Sequence, residues 1–485
     1  MISTFRYLAK TTGMALIVVG LAMLPAIAVS VIYDEFAIAT GFIKVCPFSL
    51  AAGLLLYKGI RHGFDRIRIS DGLLMVIWGW AAAVGALPFL FTDFTASYID
   101  AFFEACSGFT TTNATTALSV EAMPYGLVFW RAIMSWAGGI GILLIAIAFF
   151  PTLGLSGQSI ISTETEGPVV ERPTPRTKRL AMTLSGIYLG LTLCEVLLLC
   201  LGGMSVFDSV IHSFGSVSSG GFSNYDNSIA HFDSAYIKAV MSIFMFLCGV
   251  NFNLYYHSIR RGLRSITGDS EFRLYLILIF LPAAIIFAEL FFRGYYHDIT
   301  PAVADSMFQT VSMLTTTGFT ISDYEFWPQL CQVVILTLMV IGACSSSVGG
   351  GTKVIRFVIA SRLMSHGIAM RLHPQYYEAI KVNKNSVSPD IVSGVANYIF
   401  LFIIVIFTGT IAVSFDTDDM TTAFTSVVSC VCNVGPAFGE AGFSGCYAGF
   451  SGYAKILLSV LMIAGRLELY TFFILFSPQY WTQKY

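Results

Sequence analysis

Thr315-Thr316-Thr317-Gly318-Phe319-Thr320 is the stretch that decides the fold. It lies between a short semi-polar segment near 301–314 and a long apolar one that begins near 328. Three other places repeat that order. They read Phe109-Thr110-Thr111-Thr112-Asn113-Ala114-Thr115, Ser218-Ser219-Gly220-Gly221-Phe222-Ser223 and Cys432-Asn433-Val434-Gly435-Pro436-Ala437. When the copies are aligned on Asn113, Gly221, Gly318 and Gly435, Asp100, Asp208 and Asp305 each stand 13 positions earlier. The fourth copy has Thr422 there, with Asp419 three residues before it. One such turn alone reads equally well as an ordinary loop. Four of them, each flanked by two apolar segments, are an internal repeat that sets the architecture.

Outward from the turns the chain is apolar. Its 485 residues are 56% hydrophobic and only 12% charged, against roughly 25% charged in soluble proteins. Most of the surface must therefore face lipid. A net charge of −2 gives no reason to expect nucleic acid. The ten cysteines lie scattered in apolar segments and read as small buried hydrophobes. A spanning helix needs about 20 apolar residues. Ten candidates lie near 11–32, 42–58, 71–92, 126–150, 180–202, 234–257, 272–293, 328–360, 391–414 and 453–476. Arg6, Lys10 and Ala26-Ile27-Ala28 imitate a leader, but the apolar run continues through Ile32, so a retained helix is expected. Pieces near 98–109, 207–217, 301–314 and 420–432 are too short to span and suit half-helices that dip in and return. The expected fold is an all-α polytopic membrane protein. It has a two-helix unit (1–68) and four repeats (69–155, 156–265, 266–385 and 386–485) with pseudo-fourfold symmetry around a central pore.

Basic residues mark the cytoplasmic side. One set of loops carries Lys58, Arg61, Arg66, Arg68, Arg172, Arg176, Lys178, Arg179, Arg260, Arg261, Arg264 and Arg273, then Lys353, Arg356, Arg362, Arg371, Lys381 and Lys384. The opposite loops carry Asp34, Glu35, Asp93, Asp226, Asp233, Asp323, Glu325, Asp416, Asp418 and Asp419. Both termini are thus expected inside, and the half-helices fall on the outer, acidic side, where acids would concentrate cations.

A cation entering a narrow passage loses water, and successive backbone carbonyls can replace that shell. Pointing them inward demands unusual backbone angles, which Gly adopts readily. Short hydroxyl residues add oxygens without bulk. A half-helix starting at the register Asp and ending at the turn would aim its partial negative end at the ion. The expected oxygen donors are Thr111, Thr112, Asn113, Ser219, Gly220, Gly221, Thr316, Thr317, Gly318, Asn433, Val434 and Gly435.

Ser107-Gly108-Phe109-Thr110-Thr111-Thr112, Gly220-Gly221-Phe222-Ser223, Thr315–Thr320 and Asn433-Val434-Gly435-Pro436 resemble the four filter segments of the Trk/Ktr/HKT superfamily of cation transporters, in its bacterial TrkH branch. Gly349-Gly350-Gly351-Thr352-Lys353-Val354-Ile355-Arg356 and Gly465-Arg466-Leu467-Glu468-Leu469 are similar to its third and fourth inner-helix signatures. The two N-terminal spans are like the helix pair that TrkH adds. The resemblance implies potassium uptake across the bacterial inner membrane, with K+ as the transported ion and no tightly bound cofactor. It also implies a homodimer with one pore per protomer and a cytosolic nucleotide-binding TrkA-like regulatory subunit. One position departs: Asn113 stands where the bacterial branches usually carry Gly, and in plant relatives a Ser there goes with sodium transport. A less selective Na+/K+ transporter therefore stays open as an alternative, as does a secondary transporter.

The eighth span is overlong and contains Gly342-Ala343-Cys344-Ser345-Ser346-Ser347-Val348-Gly349-Gly350-Gly351. Each interior Gly weakens a helix by about 1 kcal/mol relative to Ala. The stretch is either a site of close helix packing or an intramembrane gating loop, and the resemblance implies the loop. Arg466 lies inside the last span, where burial costs roughly 2.5–3.5 kcal/mol. It is expected to hydrogen-bond the 343–350 carbonyls as a positive barrier, with a structural salt bridge as the rival. Glu468 should lie on another helical face. Glu195 and Glu289 are single acids expected to satisfy local partners. Segments 151–179 and 353–388 are expected to dock the regulator. Seven dispersed His and the lack of an HExxH motif give no catalytic constellation, so an enzyme is not expected.

Overall fold

The computed structural model describes residues 2–59, 72–92, 95, 97–149, 175–262, 264–373, 379–383, 385–443 and 445–477. The expected boundaries at 68/69 and 155/156 lie outside the described residues. So do Arg61, Arg66, Arg68, Asp93, Arg172, Lys384 and the docking segment through 174.

Small residues set the first contact. Helices Ile2–Ile32 and Phe36–Lys58 pack closely because Gly13 and Gly53 face each other. A side chain built on Gly13 would sit 2.8 Å from the Gly53 carbonyl oxygen, and one on Gly53 would sit 2.7 Å from that of Gly13. Ser49 Oγ, buried in the same seam, donates to the Leu16 carbonyl at 2.8 Å.

Beyond this pair, four similar passages follow. Each has an outer helix, a half-helix, a turn and an inner helix. The outer helices are Gly72–Gly85 with Leu87–Phe91, then Pro175–Leu201, Ser270–Phe292 and Pro389–Val413. The half-helices are Tyr98–Phe109, Val206–Val217, Ile299–Leu314 and Met420–Cys432, within two residues of expectation. The inner helices begin at Tyr125, Ala235, Gln329 and Gly452.

Among the described residues, five helices are long and apolar enough to cross a membrane, or six if one sharply bent pair is a single span. Ten spans are expected, one of them interrupted, and in the structure several of the inner ones are broken. The 234–257 segment bends by 88° between Ala235–Gly249 and Phe252–Ser258. The break falls at Asn251, whose side chain accepts from the Asn253 N–H at 3.0 Å and starts a new helix. The last span stops at Arg466, and Glu468, at φ 74°, turns the chain before Leu469–Ile474.

Polarity is arranged for lipid. Leu193, Leu197 and Leu201 of one outer helix are exposed, whereas Thr110–Thr112, Ser216, Ser218, Thr315–Thr317 and Asn433 are buried at the centre. A soluble fold would invert that order. Outside the helices, a small antiparallel hairpin pairs Lys381 with Ser386 and Val382 with Asn385.

Candidate functional site

Each half-helix ends by the same device. The N–H of Thr112, Gly220, Thr317 or Val434 donates five residues back, to the carbonyl of Ser107, Gly215, Ser312 or Ser429, at 2.8–3.0 Å. The preceding residue, Thr111, Ser219, Thr316 or Asn433, donates three back, at 3.0–3.4 Å. This pair of bonds is the Schellman closure, which needs a left-handed residue at the turn. Those residues have φ of 53°, 53°, 56° and 56°. None is glycine, and for a β-branched Thr this is a true outlier. Such strain persists only where its surroundings fix it. In the first and third copies the flanking hydroxyls are tied together, Thr110 to Thr112 at 2.7 Å and Thr315 to Thr317 at 2.8 Å. Two residues on, Asn113, Gly221, Gly318 and Gly435 return to positive φ, at 65°, 59°, 79° and 100°. This alternation, invisible in the sequence alignment, repeats in all four copies.

The turns interlock in order. A side chain added at Gly221 would run into the Thr317 carbonyl oxygen, one at Gly318 into that of Val434, and one at Gly435 into that of Thr112. Turn two thus abuts turn three, three abuts four, and four abuts one. Asn113 completes the circuit: its Nδ2 lies 2.9 Å from where a Gly221 Cβ would stand, and donates to the Gly318 carbonyl at 3.4 Å. A single cavity is lined by all four aligned residues together with Arg131 and Asp226.

The other side of the turns is covered by the 342–353 segment. It leaves helix Gln329–Ile341 at Gly342 (φ 73°) and rejoins helix Val354–Leu372 after Lys353 (φ 78°). Its neck is sewn by Lys353 N–H to the Ile341 carbonyl at 2.9 Å and Val354 N–H to that of Ala343 at 3.0 Å. It is therefore an irregular loop, not a tightly packed helix. Gly350 N–H donates to Thr316 Oγ1 at 2.6 Å, and Gly351 N–H to the Cys432 carbonyl at 3.0 Å. The Val348 carbonyl accepts from Ser219 Oγ at 3.0 Å. Turns two, three and four each hold the loop. Thr111 Oγ1, the equivalent atom of turn one, is buried with no hydrogen-bond partner among the described residues.

Two expectations here need correction. Arg466 is buried, but among the described residues its Nε, Nη1 and Nη2 have no hydrogen-bond partner, so it neither bonds the 343–350 carbonyls nor forms a salt bridge with any of those residues. Lys353 Nζ is the cation that does bond this stretch, donating to the Gly349 carbonyl. Glu468 instead pairs with Arg356 at 2.5 Å, and the Arg356 guanidinium lies 3.7 Å from the centre of the Tyr398 ring. Glu195 is buried, and Ser216 of the adjacent half-helix lies within reach of its carboxyl group, which makes no closer hydrogen bond among the described residues. Glu289 meets Arg293 at 2.6 Å, a local partner as expected.

The register acids serve different ends. Asp100 pairs with Lys455 at 2.7 Å and Asp305 with Lys238 at 3.0 Å, each lysine coming from the inner helix of another copy. Asp208 accepts from Ser205, Asn224 and Tyr225. Asp305 does not start its half-helix, which begins at Ile299. In the fourth copy Asp419 is the N-cap, accepting from the Thr422 N–H at 2.8 Å and hydroxyl at 2.7 Å. Those bonds hold its carboxyl below the usual carboxylate range. Several acids of the expected vestibule are likewise caps: Glu35 accepts the Tyr125 and Gly126 N–H groups, and Asp416 that of Ser451. Of the described members of that acidic set, Asp226 is the one among the cavity residues.

Sequence reasoning missed the buried pair beneath turn one. Glu104 accepts from Thr115 Oγ1 at 2.7 Å and Thr116 N–H at 2.6 Å, and binds Arg131 Nε at 3.0 Å. Arg131 also lies over the Phe222 ring of turn two at 4.5 Å. The signal was available: an acid inside a half-helix and an Arg inside an apolar span.

Comparisons with known proteins agree on one group. The TrkH family, described as a cation transport protein, matches residues 42–485. The chain is 32% identical over 484 residues to the Trk system potassium uptake protein TrkH of Escherichia coli (strain K12), covering 99% of this chain and 100% of that one. It is 33% identical over 485 residues to TrkH of Halomonas elongata, covering 99% of each. The crystal structure of the potassium transporter TrkH from Vibrio parahaemolyticus superposes with a TM-score of 0.90 at 30% identity, covering 98% of this chain and 99% of that one.

Proposed function

Since the chain belongs to the TrkH family of cation transport proteins, we propose that it conducts potassium ions into the bacterial cell down their electrochemical gradient. The observation that carries this reading is the ring of four interlocked turns between a polar cavity and a loop. Alternating left-handed residues aim consecutive carbonyls to one side. Oxygens from Thr111–Asn113, Ser219–Gly221, Thr316–Gly318 and Asn433–Gly435 then replace the hydration of a cation on the ring axis. The four passages are the pseudo-fourfold repeats of one pore, with the first two helices added outside it.

The 342–353 loop is the gate in this reading, because it blocks the cytosolic exit of the turns. Arg466, with no hydrogen-bond partner among the described residues, supplies a positive charge below them. The protein resides in the inner membrane with both termini cytoplasmic and works as a homodimer. A TrkA-like nucleotide-binding partner docks on the cytosolic segments, and no cofactor is needed within the pore.

The Asn113 amide supports a second reading, weaker selection of K+ over Na+, because it draws on a ring carbonyl. Purified protein in liposomes, with an inside-negative potential, tests both. The expected result is Rb+ and K+ influx without a counter-ion, with Na+ competing measurably. Absence of cation flux, or slow flux in fixed ratio with a second ion, would overturn the pore in favour of exchange.

A further inference from the structure

The loop is held from a second side by a group that the ring does not use. Glu271 is buried at the start of helix Ser270–Phe292. Its Oε1 accepts from the Ser345 N–H at 2.6 Å and its Oε2 from the Ser345 hydroxyl at 2.8 Å. Asn251, at the sharp bend, adds its Nδ2 to the Ser345 Oγ at 3.1 Å and to Glu271 Oε2 at 3.4 Å. The bend also receives the loop backbone, with Phe252 N–H donating to the Ser346 carbonyl at 3.1 Å. The middle of the loop therefore rests on a carboxylate two residues inside a different helix.

The start of that helix is tied to the surface. Asp269, its N-cap, accepts from the Phe272 N–H at 3.0 Å and from Asn383 Nδ2 at 2.6 Å. Ser270 N–H donates to Asn383 Oδ1 at 2.7 Å. Asn383 is exposed and stands at φ 52° in the turn of the Lys381–Ser386 hairpin. The other side of the hairpin is gripped by the helix that leaves the loop, through Arg362 and the Lys381 carbonyl. A surface turn and a buried loop residue are thus joined through three consecutive residues, Asp269, Ser270 and Glu271.

We propose that Glu271 is a latch and the Lys381–Ser386 hairpin its handle. Displacing the hairpin, as a docked cytosolic protein would, shifts the start of helix Ser270–Phe292 and withdraws Glu271 from Ser345. The loop then loses its support opposite the turns and leaves the exit. Two bonds with a buried carboxylate are hard to break singly, because an unpaired buried acceptor is penalised. The latch therefore holds or releases as a unit. This inference rests on the gating role given to the loop above.

Asn383→Gly is the test, since glycine keeps the left-handed turn and removes both side-chain bonds. Hydrogen exchange of the full-length protein in nanodiscs reads the loop without requiring transport. Exchange across 342–350 is expected to rise about fivefold, equal to about 1 kcal/mol at 1.4 kcal/mol per tenfold. Glu271→Gln should reproduce the rise, and the double variant should exceed neither single by more than about twofold. In liposomes, basal Rb+ influx should rise with the exchange while the Rb+/Na+ ratio stays fixed. Unchanged loop exchange in Asn383→Gly, with hairpin exchange raised, would overturn the latch. So would fully additive single effects. Raised loop exchange with no flux in any variant, wild type included, would leave the coupling standing and refute the pore reading instead.

Discussion

Asn113→Gly perturbs one atom group of the ring and little else. The amide Nδ2 donates to the Gly318 carbonyl at 3.4 Å, near the long limit of a hydrogen bond. Backbone terms nearly cancel. Asn already tolerates φ 65° better than most residues, and Gly relieves the remaining strain while losing about 0.5–1 kcal/mol of unfolded-state entropy. Stability should stay within about 1 kcal/mol of wild type. In the proposed pore the ion would see a larger change. The Gly318 oxygen, now partly occupied by a donor, becomes available to the cation. A hydrogen bond contributes about 1 kcal/mol net, and a long one less. The K+/Na+ preference is therefore expected to rise by about two- to fivefold. The assay is Rb+ influx into liposomes with increasing external Na+, and Asn113→Ser should fall between the two. An unchanged ratio in a folded Asn113→Gly protein would refute the reasoning, because the amide would then not touch an ion-facing oxygen.

Other substitutions probe the remaining parts. Gly318→Ala forces a Cβ into the Val434 carbonyl at φ 79°, so influx should fall by at least about tenfold given a left-handed penalty of ~1–2 kcal/mol plus the clash; growth at limiting K+ in an uptake-deficient bacterium reads this. Arg466→Ala removes a buried charge with no hydrogen-bond partner among the described residues and, in the proposed pore, should raise cation influx by roughly tenfold, about 1.4 kcal/mol of barrier; unchanged flux and ion preference would end its barrier role. Arg131→Met strands the buried Glu104 at a cost of about 3–5 kcal/mol, seen as early thermal unfolding in detergent and partly rescued by adding Glu104→Gln. Asp419→Ala should weaken the fourth half-helix by about 1 kcal/mol. The Asp419 carboxyl is held low, so its contribution is present above its unfolded pKa and fades as pH falls through the folded one. Acidification should therefore erode wild-type stability more than that of the variant.

The half-helices and turns were legible because their signals are local: hydroxyl runs, glycines and acids in register. The loop was legible for the same reason, since ten small residues within an apolar span cannot make a firm helix. The left-handed Thr111, Ser219 and Thr316 were not, because Thr and Ser disfavour that angle and only packing from neighbouring turns holds it. The bend at Asn251 was hidden by apolar residues on both sides. Partners far apart in sequence could not be read at all: Glu271 meets Ser345 across 74 residues, and Lys455 meets Asp100 across 355. Arg466 misled because an Arg in an apolar span suggests a partner, and this one has none among the described residues.

The circuit of turns is drawn from one polypeptide, and that changes how it can be altered. In a channel assembled from four identical chains, any codon change strikes every quadrant simultaneously, so a mildly unfavourable side chain is felt four times over. Here Asn113 occupies a single quadrant while Gly221, Gly318 and Gly435 keep the other three. In the proposed pore, discrimination between ions would thus be adjusted in quarter steps, and a loop from one passage alone would close a mouth that four passages build.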